Sequence, residues 1–85
     1  MAKSIDFSKH ALDQMKERGA SESEVIDTIR SGEQVPAKQG RQGYRKNFQY
    51  NQVWGGKQYA TKQVMAIIVD EPNAIVVITV FTFYF

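Results

Sequence analysis

The 85-residue chain has no cysteine, one histidine and two prolines. Without cysteine there is neither a disulfide framework nor a thiolate metal site, and His10 alone is too little for structural zinc. Stability must come from apolar burial or from a partner subunit. The most apolar run, Ala74 to Phe85, is shorter than the ~20 residues of a spanning helix. It is rich in β-branched and aromatic residues, so it reads as a buried strand. Met1 to Phe7 lacks the apolar stretch of a secretory signal. The expectation is a cytoplasmic, cofactor-free protein with no membrane contact. Such a length makes one domain, residues 1–85, with a single small core.

Acidic residues are missing too, from Gln34 to Val69, where the charges are Lys38, Arg41, Arg45, Lys46, Lys57 and Lys62. The first 33 residues hold five basic and seven acidic side chains, and Asp70 and Glu71 follow the basic block. The formal net charge of +2 therefore conceals +6 between two regions of −2 each. Tyr44, Phe48, Tyr50, Trp54 and Tyr59 are interleaved with the cations. Cations mixed with flat rings suit a polyanion with flat bases, RNA in particular. The competing reading is a solvated strand face with ordinary core aromatics.

Hydrophobic period places these residues on elements. Ser8 caps a helix over about 9–18 with Ala11, Leu12 and Met15 inward, and Gly19 ends it. Ser21 and Glu24 form a capping-box pattern opening a second helix, about 22–31, with Val25, Ile26 and Ile29 inward. The period then becomes two. Strands are expected over about 34–37, 44–50, 57–69 and 74–84, with turns at 51–56 and at Glu71-Pro72-Asn73. The last two strands are apolar on both faces and need cover on both. The helices supply one cover, and self-association into a homodimer would supply the other. The fold class is α+β, two N-terminal helices on a twisted antiparallel sheet of about four strands.

The stretch Phe7-Ser8-Lys9-His10-Ala11 through Met15 and Arg18-Gly19, followed by Ser21 to Glu24, resembles the opening of a widespread prokaryotic family of small uncharacterised proteins. Gly40-Arg41-Gln42-Gly43-Tyr44-Arg45 and Ile78-Thr79-Val80 resemble its later segments. Such proteins look like relatives of the RelE/ParE-type toxin fold, an architecture shared with colicin-type ribonucleases. The resemblance implies helices packed on a twisted sheet, an RNA-directed activity and a cognate acidic antitoxin; fold by itself assigns no activity.

His10, Gln14 and Arg18 recur every four residues and share one helix face. Metal-free RNA cleavage needs a base, an acid and cations for the developing phosphorane charge. His10 is the candidate acid/base, with Arg18 and Arg45 beside it. Arg41, Tyr44, Lys46, Lys57 and Lys62 are the candidate nucleic-acid contacts. Alternation puts Arg45 opposite Tyr44 and Lys46, so Arg45 lies either beneath the helices, near His10, or on the open side. Trp54 caps the core or stacks a base; Thr79 reads as a buried strand threonine; Tyr84 offers a phenol. Asp70 and Glu71 read as solvated, and the glycines lack a phosphate-loop context. Two functions follow, a toxin-type RNA-binding protein or metal-independent ribonuclease, and a non-catalytic interaction or oligomerisation domain.

Overall fold

Two serines decide where the helices start. In the computed structural model, which describes residues 3–85, Ser8 Oγ accepts from the Ala11 N–H at 3.1 Å, and α1 runs Lys9–Arg18. Ser21 opens α2, Glu22–Ser31, with a complete capping box: Glu24 N–H to Ser21 Oγ at 3.1 Å, and Ser21 N–H to Glu24 Oε1 at 3.0 Å. Between the helices Gly19 takes φ 76°, a left-handed conformation that a side chain would strain.

The sheet has five strands, not four. They are β1 Ser4–Phe7, β2 Glu33–Val35, β3 Gln42–Trp54, β4 Lys57–Asp70 and β5 Ala74–Tyr84, in the order β1-β5-β4-β3-β2. The sheet is mixed rather than wholly antiparallel, because β1 pairs parallel with Ala74–Val77. Four residues are too few for period two to announce a strand, yet Ile5 and Phe7 do alternate and pack on the core. β3 runs on through residues read as a turn. Its register against β4 breaks between Gln49 and Gln52, with Asn51 at φ 51°, and the hairpin then continues to Gly55-Gly56. That bulge lets the ribbon outrun a regular ladder.

A second bulge, at Ile78, matters more. Ile67 pairs with Thr79 but Ile68 pairs with Val77, so Ile78 is the extra residue. Alternation along β5 inverts there. Val77 and Val80 both face the helices and are fully buried, whereas Thr79, Phe81 and Phe83 face away. The core lies under the helices: Ala11, Met15, Val25 and Ile29 against Val64, Ala66, Ile68, Val77 and Val80. Among the described residues no helix is long and apolar enough to cross a membrane.

β1 covers β5 only as far as Val77, so the far half of β5 has an open edge. α1 closes it with side chains. Gln14 Oε1 accepts the Val80 N–H at 2.9 Å, and Arg18 Nη1 donates to the Val80 carbonyl at 2.6 Å. Backbone groups lacking a strand neighbour are thereby satisfied.

Candidate nucleic-acid interface

Alternation on the central strands sorts the candidate residues between the two faces. Val64, Ala66 and Ile68 face the helices. Their cross-strand partners Tyr44 and Lys46, and Lys62 two residues earlier, share that side. Lys46 Nζ meets Asp27 Oδ2 at 2.7 Å and Ser31 Oγ at 2.9 Å on α2. The Lys46 hydrogen bond, then that from Ser31, holds the Asp27 carboxyl below its usual range. Tyr44 packs against the core, and its hydroxyl donates to Gln42.

Lys62 is a correction to the nucleic-acid list. Its side chain is 7% exposed, with Nζ at 2.7 Å from the Gly19 carbonyl and 2.8 Å from Glu24 Oε1. The period places it inward with Val64, and burial of the ammonium is compensated by these two oxygens.

The interleaved aromatics are also claimed from within. Trp54 and Tyr84 stack at 4.9 Å between centroids, and Tyr50 and Tyr59 tilt against Tyr84 at 5.2 and 5.7 Å. The Tyr84 hydroxyl donates to the Arg18 carbonyl at 2.7 Å, and burial pushes its pKa above the ordinary phenol value. Trp54 therefore caps the end of α1. Lys57 stays exposed at the hairpin tip, 5.6 Å from the Tyr59 ring.

The proposed catalytic trio does not meet. His10 is exposed on α1. Arg18 is held at the β5 edge. Arg45 resolves to the open side of the sheet, paired with Glu33 of β2 at 2.7 Å, three strands away from β1. Among the described residues no group of His, Cys, Asp and Glu could hold a metal ion.

What the structure does assemble is a platform on the open face. Phe81, Phe83 and Phe85 lie there in a row, 36%, 45% and 58% exposed. Phe81 and Phe83 are near parallel, 6.5 Å between centroids at 21°. With about 200 Å² for a whole aromatic residue, the three leave roughly 280 Å² in solvent. Beside them stand Thr61, Gln63, Asn47 and Gln49, with Gln63 bonded to Asn47 at 2.9 Å. At one end lies a hollow of about 350 Å³ lined by Ala37, Lys38, Arg41, Ile67, Thr79 and Phe81. The exposed rings could not be read from the sequence, because Ala74–Tyr84 is apolar at nearly every position and hides its own inversion. The period-two spacing of the phenylalanines was the one available signal. Thr79, read as buried, lines this hollow instead.

A family model described as Domain of unknown function (DUF4258) matches residues 7–82. No curated protein and no solved structure matches the chain.

Proposed function

Since the chain belongs to the DUF4258 family, a domain of unknown function, the reading rests on geometry, and we propose that the protein binds single-stranded RNA on the open face of its sheet. The observation that carries the reading is the exposed row Phe81, Phe83 and Phe85 on a face that no other element of the described chain covers. Sheet aromatics stack bases, and side-chain amides beside them reach base edges. The cations at the rim supply the salt-sensitive attraction to phosphate. A likeness to RelE/ParE-type toxins, drawn from the Phe7 to Gly19 opening and the Gly40 to Arg45 segment, belongs to this proposal only. Under that likeness an acidic partner protein would compete with RNA for the same rim.

Binding, rather than cleavage, is the activity supported. Metal-free cleavage would need His10, Arg18 and Arg45 around one phosphate, and they stand on separate parts of the surface. A labelled single-stranded RNA titrated by fluorescence anisotropy should bind at low salt and lose affinity steeply as salt rises. Phe83→Ala should weaken binding about 5- to 100-fold, the effect of one stacked base, with an unchanged circular dichroism spectrum. No binding at low salt, or full binding by Phe83→Ala, would refute the proposal.

The same exposed row favours one other reading, a homodimer packed face to face through the rings. Burying Arg18, Lys38 and Arg41, which have no carboxylate partner among the described residues, opposes it. Sedimentation of a dimer that Phe83→Ala dissociates, with no RNA binding, would favour it instead.

A further inference from the structure

We propose that the hollow at the Phe81 end of the platform holds a phosphorylated end of a single-stranded RNA, its terminal base against Phe81 and its phosphomonoester among Arg18, Lys38 and Arg41. The inference deepens the RNA-binding reading and rests on it.

Lys3, Lys9, Arg45, Lys46 and Lys62 each sit within 4.0 Å of a carboxylate. Three cations without such a partner gather around one ring. Lys16, Arg30 and Lys57 also lack a carboxylate partner among the described residues, but none of them lines this hollow. Arg18 lies over Phe81, its guanidinium carbon 5.1 Å from the centroid, arriving from the β5 edge. Lys38 and Arg41 arrive from the opposite side, on the loop between β2 and β3. No Asp or Glu lines the hollow.

The loop is built to present both side chains together. The Arg41 N–H donates to the Lys38 carbonyl at 3.0 Å, and Gly40 takes φ 81°, which closes a tight turn. Val35 sits within 2.9 Å of where a side chain on Gly43 would begin, and Ile67 within 3.3 Å, so the bare Gly43 admits this segment onto the face.

The same loop ends the platform. A chain of bases running from Phe85 past Phe83 to Phe81 meets Ala37 and Lys38 as a wall. An internal phosphodiester carries one negative charge, whereas a terminal monoester carries close to two above its second pKa near 6. Three unpaired cations at a blind end match the monoester. The Thr79 hydroxyl, also in the lining, is a neutral donor for its oxygens.

The test compares one six-nucleotide RNA in three forms, with a 5′-phosphate, with a 3′-phosphate and with neither, by competition anisotropy on the whole protein. One phosphorylated form should bind about tenfold tighter than the bare oligonucleotide, the effect of a charge-assisted hydrogen bond. That ratio should fall towards one in Arg41→Gln with Lys38→Gln, and also below about pH 6, where the monoester gains a proton. Both side chains are exposed, so the variant is checked for folding by its melting temperature alone. Equal binding of all three forms would overturn the end-reading site while leaving the platform intact. Absence of binding by every form would overturn both.

Discussion

Lys62 gives the sharpest test of how the fold is held. Lys62→Met keeps the length of the stem and removes the ammonium that bridges the Gly19 carbonyl and Glu24 Oε1 at 2.7 and 2.8 Å. Removing one partner of a buried ion pair costs about 3–5 kcal/mol, because the other is left uncompensated. Here the Glu24 side chain is 24% exposed and still accepts the Ser21 N–H, so it regains some solvation. The half-buried Gly19 carbonyl loses its side-chain donor as well, and an orphaned polar group costs about 1–3 kcal/mol. Together these place the loss near 3 kcal/mol. For a domain of this size that lowers Tm by about 12–24 °C. Urea denaturation followed by circular dichroism measures it, with Lys62→Met, Glu24→Gln and the double variant forming a cycle. The double variant should be less destabilised than the sum of the two singles, since neither charge is then left alone. A Lys62→Met protein within about 0.5 kcal/mol of the parent, the range of an ordinary surface change, would refute the argument.

Gly19→Ala should cost about 2 kcal/mol or more, since φ 76° disfavours any side chain and its Cβ would begin 2.7 Å from the Trp54 ring; a chemical melt with a shift in Trp54 fluorescence checks it, and an unchanged midpoint would count against the described packing. Asp27 titrates below the ordinary carboxylate range in the folded chain, through Lys46 first and Ser31 second, so its stabilisation is present above the unfolded value and lost as pH falls through the folded one. Asp27→Asn should therefore flatten the acid limb of stability against pH. Tyr84 is raised by burial, so its stabilisation is present below the ordinary phenol value and lost as pH rises through the folded one. Tyr84→Phe should remove that alkaline loss, with tyrosinate absorbance reporting the ionisation directly.

Where the chemistry of capping is local, the sequence was legible. Ser8, Ser21 with Glu24, and Gly19 announce the helix ends, and the structure forms the hydrogen bonds their types imply. Strand parity was legible for Lys46 and Arg45, which fall on opposite faces as alternation requires. The same rule, carried from Val64 back by two residues, places Lys62 inward; treating it as one more surface cation ignored that step. The platform was not legible for a physical reason. A run such as Ile75-Val76-Val77-Ile78-Thr79-Val80-Phe81 is compatible with either parity, and the extra residue that decides between them is fixed by pairing with β4, a long-range event. The short β1 was hidden likewise, since its parallel partner lies about 70 positions along the chain. Arg18 lies over Phe81 rather than beside His10 and Arg45, because it is turned to the sheet edge.

The extra residue at Ile78 makes the two halves of β5 behave like a screw with a half-turn of play removed. Were Ile78 instead drawn into the ladder opposite Ile67, everything after it would rotate: Phe81, Phe83 and Phe85 would swing beneath α1, into space shaped for valine and threonine, while Val80 and Tyr84 would be turned out into water. A one-residue slip there would thus cost the molecule its outward rings and its lid over Gly19 at a stroke, whereas excising Ile78 would leave every later residue on its present face.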